Sequence, residues 1–234
     1  MPEERVKTVI IGEKYSKYIQ ALKRLGIDTI SAPKNSDIDP AIAFHADMSV
    51  FHAGGNDFFV TESNRVLCIF MQRIGVNVHS CEKCGPKYPD DVKTNCCIVG
   101  KTLFYNEKGT SRRIIEYAES KGFKMLPVKQ GYVKCSICVL DENHIATEDC
   151  SIADAAERHG ISVLKLDNEG IILEGYDKGF IGGASGKISR NELILTGRLE
   201  TDSLERYAEE IGISITYLTD EPAQDIGSII PITY

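Results

Sequence analysis

Residues 111–128, SRRIIEYAESKGFKMLPV, spell out the phrase from which this chain is built. Ile114, Ile115, Tyr117 and Ala118 recur at spacings of three and four, as on a helix with one apolar face. Gly122 follows, a residue that tolerates the left-handed conformation in which helices stop. Phe123–Val128 then reads as a short buried strand. Further on, Ser136–Leu140 and His144–Thr147 flank an Asp141-Glu142-Asn143 turn, which reads as a strand hairpin.

The same order of helix, glycine, strand and hairpin recurs along the sequence. The other stops are Gly26, Gly75, Gly160 and Gly212, so the five glycines stand 38 to 52 residues apart. Their helices are expected over Tyr15–Leu25, Ser63–Ile74, Ser151–His159 and Asp202–Ile211. Val66, Leu67, Phe70 and Ile74 should face inward in the second, and Ser63, Ser111 and Asp202 should serve as N-caps. A period near 45 residues marks a ring or array of equivalent units. The fifth unit ends early, at Gly227–Ile232, while Lys7–Gly12 has no hairpin partner before it. Pairing these two segments would leave no sheet edge exposed there. The expected fold is therefore α/β, a five-bladed α/β propeller forming one domain over residues 1–234. The N-terminal strand would close it by pairing in the last blade. Two separate parallel-sheet domains would leave the orphan strand unexplained.

Composition narrows the function classes. The chain has 234 residues and a net charge of −7. An acidic surface argues against nucleic acid as the main ligand, because phosphate binding needs a basic face. No apolar run approaches the ~20 residues of a membrane span. The N-terminus has no secretory pattern, so a cytoplasmic location and reduced thiols are expected for the eight cysteines. Cys81/Cys84 and Cys135/Cys138 are CxxC pairs. The second lies in a strand-like run, where residues three apart face opposite sides, so a four-thiolate metal site is not expected. The first reads as a solvated, turn-rich loop. Gly182–Lys187 lacks the spacing of a phosphate loop. No metal and no cofactor are expected.

Backing up from each hairpin turn gives the residues that should converge at one pole of the ring. They are His45, Asp47 and Ser49; Asp91, Lys93 and Asn95; Lys134, Cys135 and Ser136; Gly182, Gly183 and Ser185; and Asp225 and Ser228. Polar residues at strand entries need partners, so they imply a polar network or a ligand site.

The five-unit architecture resembles the pentein, or guanidine-modifying, superfamily over essentially the whole chain. The stretches Lys129–Ser136 and Gly175–Gly186 are similar to a bacterial pentein-like group without assigned activity. His45-Ala46-Asp47 is similar to the His-x-Asp motif of catalytic penteins, and two residues two apart on a strand would share a face. The resemblance implies Asp47 as anchor for a guanidinium, His45 as acid/base and a cysteine nucleophile. In catalytic penteins that cysteine lies in the last repeat. Here Asp225–Pro231 contains none. Cys135 is then the expected nucleophile, with Lys134 beside it as a charge that would lower its pKa, and Cys96 and Cys97 as runners-up. Asn95, Lys134, Ser185 and Asp225 would line the ligand site. Two classes stay open: a cysteine-dependent hydrolase or transferase acting on a guanidine or amidine compound, and a non-catalytic pentein that binds a small molecule or assists protein assembly.

Overall fold

The computed structural model describes residues 2–167 and 169–233. The chain opens with β1 (Thr8–Gly12), α1 (Ser16–Arg24) and β2 (Asp28–Ala32). A hairpin of β3 (Val50–Gly54) and β4 (Asp57–Thr61) leads through α2 (Arg65–Arg73) to β5 (Asn77–Cys81). Next come β6 (Cys97–Val99), β7 (Thr102–Tyr105), α3 (Arg112–Ser120) and β8 (Lys124–Pro127). A single helical turn, α4 (Val133–Ser136), precedes β9 (Cys138–Val139), β10 (His144–Thr147), α5 (Cys150–Arg158) and β11 (Ser162–Lys165). The last elements are β12 (Ser185–Ser189), β13 (Glu192–Leu195), α6 (Ser203–Glu210), β14 (Ser214–Tyr217) and β15 (Ile230–Ile232).

These strands form five three-stranded sheets of one pattern. In the hairpin sheets, two strands pair antiparallel and the second pairs in parallel with the strand beyond its helix. The remaining sheet, β15-β1-β2, copies the pattern with the two ends of the chain: Thr8 stands opposite Ile232 and Ile10 opposite Ile230, antiparallel, while β1 and β2 run parallel. The expected partner of the orphan first strand is the one it has. One strand of each sheet, β3, β6, β9, β12 and β15, contributes to the wall of a single small cavity.

Helices α1, α2, α3, α5 and α6 stop as expected, because Gly26, Gly75, Gly122, Gly160 and Gly212 have φ between 74° and 88°. The second helix departs from the reading in two ways. Asn64, not Ser63, is its N-cap and accepts from Leu67 N at 3.3 Å. Leu67 and Met71 are buried, whereas Val66, Phe70 and Ile74 are exposed. This helix carries apolar residues on most of its circumference, so spacing alone does not choose between the 66/70/74 and 67/71 rows. Among the described residues, no helix is long and apolar enough to cross a membrane.

Candidate active site

Two of the motif-bearing segments do not form strands where the hairpin alignment expects them. His45 is followed by one turn of 3₁₀ helix, Ala46–Met48, and Cys135 sits in the turn α4 rather than in a strand. Each turn comes just ahead of the first strand of its hairpin, and each buries its polar side chain, Asp47 in one and Cys135 in the other. Asp47 N bonds to Gly227 O at 3.1 Å, and Thr94 Oγ1 donates to Asp47 O at 2.8 Å, which ties the turn to two other units. Asn95 fixes α4: its Oδ1 accepts from the backbone N of Lys134 at 2.7 Å and of Cys135 at 3.3 Å.

The side chains then meet. Asn95 Nδ2 donates to Cys135 Sγ at 3.2 Å, and the Cys135 thiol donates to Asp47 Oδ2 at 3.1 Å. Ser228 Oγ donates to the same carboxylate oxygen at 2.7 Å and accepts from Lys134 Nζ at 3.1 Å. Asp225 accepts from Gly227 N with Oδ1 and from Phe180 N with Oδ2, both at 3.0 Å. Its Oδ1 lies 3.7 Å from His45 Nδ1. A ring nitrogen of His45, the Cys135 sulfur and an Asp225 carboxylate oxygen lie within 4.8 Å of one another. Such a nitrogen, sulfur and oxygen set is also within reach of a single divalent ion.

Close backbone approach makes room for this cluster. A Cβ on Gly183 would fall 1.9 Å from Asp225 Oδ1, and one on Gly227, whose φ is +72°, would fall 2.2 Å from His45 Cβ. The glycine-rich 182–186 stretch therefore packs against the site instead of cradling a phosphate.

A cavity of about 360 Å³ opens onto the cluster. His45, Cys135 and Asp225 line it, with Met48, Tyr132 and Phe180 as apolar surroundings and Asp177 and Lys178 as further charges. Asp47 lies beneath Cys135 and is not part of this wall, so of the two carboxylates in the hydrogen-bonded cluster Asp225 is the one that faces the cavity. Tyr132, Phe180 and Lys178 were not singled out from the sequence, although they lie inside the quoted stretches 129–136 and 175–186.

Burial sets the charge states. His45 is pushed down to about 4, chiefly by desolvation, so it is a neutral imidazole near pH 7. Asp225 is pushed up to about 6, again by burial. Asp47 is raised for the same reason, with His45 pulling the other way. The Cys135 thiol is held well above its ordinary value by burial first and by the charges of Asp47 and Asp225 next. The expected lowering by Lys134 does not occur, because the lysine turns to Ser228 and two carboxylates face the sulfur. Two atoms of the site have no hydrogen-bond partner, His45 Nε2 and Asp47 Oδ1.

The remaining candidates stand elsewhere. Ser185 donates to Gly182 O at 3.3 Å and, with Lys134, Cys96 and Cys97, lines the small cavity between the five sheets, not the Cys135 cavity. The loop after Cys81 is exposed at Lys83, Pro86, Lys87 and Tyr88, as expected, but its two cysteines are buried, at 0% and 5% exposed. Two residues before Cys81, His79 Nε2 lies 2.7 Å from Asp57 Oδ1.

Residues 9–230 match a protein family described as being of unknown function, DUF6873. The chain belongs to the DUF6873 family. No curated protein matches it. Its likeness to solved structures is extensive. DDAH from Pseudomonas aeruginosa, complexed with citrulline, superposes with a TM-score of 0.59 at 12% identity, covering 96% of each chain. The amidinotransferase SxtG from Microseira wollei gives 0.58 at 9% identity, over 92% of this chain and 89% of its own. The N-terminal domain of ArgZ, a cyanobacterial arginine dihydrolase bound to substrate, gives 0.59 at 11% identity, over 94% and 86%. All three are penteins, and this DUF6873 member has the pentein fold. At such low identity the likeness speaks for the fold, and chemistry must be argued from the site.

Proposed function

We propose that this DUF6873 protein is a cysteine-dependent hydrolase or transferase acting on a guanidine or amidine compound. The proposal includes a closed five-bladed ring over residues 1–234 as a single domain, which the β1–β15 pairing supports. One observation carries the chemical reading: a cysteine thiol, a neutral imidazole and a carboxylate converge on one cavity wall.

A cationic amidinium would enter that cavity toward Asp225, with Asp47 behind the thiol adding to the negative field. Its positive charge would offset the two carboxylates that hold the Cys135 proton, favouring the thiolate. The thiolate attacks the central carbon and a C–S bond forms. The C–N bond to the leaving amine then breaks. The proton lost by the thiol, carried by the Asp47/His45 pair, departs on the amine nitrogen. Water, or a second amine in a transferase, then attacks the S-linked amidinium carbon, the C–S bond breaks, the proton taken from the attacking group returns by way of Asp47 to the sulfur, and the urea, amide or new amidine leaves. Asn95, within hydrogen-bond distance of the sulfur, would orient it. In this reading Asp47 is the proton acceptor and Asp225 the guanidinium anchor.

A stoichiometric label tests it. Chloroacetamidine should modify Cys135 once per chain, competitively with guanidine or amidine substrates, and Cys135→Ala should abolish the modification. Peptide mass spectrometry showing the exposed Cys150 labelled in preference to Cys135 would end the proposal. The non-catalytic alternative draws on the burial of the Cys135 thiol and its hydrogen bond to the Asp47 carboxylate, which favour the protonated form. It predicts saturable binding of a guanidinium compound with no release of amine or ammonia.

A further inference from the structure

The small cavity between the five sheets is separate from the Cys135 cavity and holds an unexplained charge. Its volume is about 110 Å³, room for several waters or one small ion. Val50, Ile98, Val139 and Ile230 give it an apolar wall. Into this wall β12 brings Lys187. The residue is 6% exposed, and its Nζ is buried without a hydrogen-bond partner. A buried ammonium with no partner is costly, and burial does lower its pKa to about 8, against the opposing pull of Cys138, Asp141 and Glu192.

Among the described residues, the two carboxylates that act on Lys187 are each bonded to other groups. Asp141 is committed to His144 Nδ1 at 2.8 Å and to Asn143 N at 2.7 Å. Glu192 is committed to Arg5 at 3.3 Å and to Thr216 at 3.1 Å. The other cation in the wall, Lys134, already spends its ammonium on Ser228. The remaining titratable side chains of the wall carry no negative charge near neutrality. The thiol of Cys97 is pushed up to about 11 and that of Cys96 well above its usual range, while His52 is pushed down to about 4 and is neutral.

We infer that this cavity is a binding site for a small monovalent oxyanion of the carboxylate or bicarbonate class, held by the unpartnered Lys187 ammonium. The cavity volume excludes larger phosphorylated ligands, and the apolar wall suits the hydrocarbon side of a short carboxylate.

The test uses the full chain at pH 7 and constant ionic strength, titrated with sodium formate, acetate or bicarbonate against sodium chloride. The melting temperature should rise saturably by a few degrees with the oxyanions, as expected for a ligand that binds only the folded state. Lys187→Met should lose that rise. A second readout guards against a variant that fails to fold. In protein carrying lysine labelled with ¹³C at Cε, the Lys187 signal of the native sequence should titrate at higher pH when formate is present. A rise retained in Lys187→Met, a rise equal for chloride, or a Lys187 titration unmoved by formate would each overturn the assignment and leave a cavity that holds only water.

Discussion

At the scale of single residues, Asp47 has two effects that point in opposite directions. Its charge helps keep the Cys135 thiol protonated, yet its Oδ2 is the atom that would receive the proton. Asp47→Asn should therefore speed iodoacetamide alkylation of Cys135 several-fold at neutral pH while abolishing turnover. A slower alkylation would contradict the electrostatic account. Asp225 and His45 give a second test, with signs that differ. The folded pKa of Asp225 is raised from 3.8 to about 6, so the stability it confers is complete below its unfolded pKa and is lost as the pH rises through 6. The stability of Asp225→Asn relative to the unmodified protein should climb between pH 4 and 6.5 and then level off. The folded pKa of His45 is lowered from 6.5 to about 4. Its contribution is present above 6.5 and lost as the pH falls through 4, so the corresponding difference for His45→Asn should slope the other way. Thermal melts across that range check both. The hairpin alignment could bring His45, Asp47, Asn95, Cys135 and Asp225 together because it counts residues from a turn, whatever the intervening conformation. It could not say which atoms face one another. A 3₁₀ turn and an α-turn replaced the assumed strands, moving Asp47 under the thiol and Lys134 away from it.

At the scale of elements, two glycines separate backbone cost from steric cost. Gly160 ends α5 with φ +79° and open space around its missing side chain. Gly160→Ala should cost about 1 kcal/mol from the left-handed backbone alone, a fall of roughly 2–4 °C in melting temperature, with cysteine labelling intact. Gly183→Ala places a methyl group against Asp225. It should displace that carboxylate and abolish amidine-competed labelling of Cys135 even where the variant remains folded by circular dichroism. The helix stops were legible because left-handed termination strongly favours glycine. The buried face of α2 was not, because exposed Val66, Ile69, Phe70 and Ile74 carry the same spacing signal as a buried row.

At the scale of the whole molecule, the repeat period and the orphan strand were enough to anticipate five similar sheets and the pairing of Lys7–Gly12 with Gly227–Ile232. The cavity between the sheets was not legible, since it depends on how five edge strands face each other. The pairing of β1 with β15 makes a topological prediction. A permuted chain joined from its last residue to its first by a short flexible linker, and opened between Glu142 and Asn143 in the β9–β10 turn, should melt within a few degrees of the original. A permutant that fails to fold would count against the ring. That pairing also has a consequence for biosynthesis. The antiparallel neighbour of β1 is made more than two hundred residues after β1 itself. At ~5–20 residues per second, a growing chain carries an unpaired, apolar β1 edge for tens of seconds. The first sheet can be completed only once β15 has been made, so slow synthesis, or release of the chain before β15, should expose this protein to aggregation at β1.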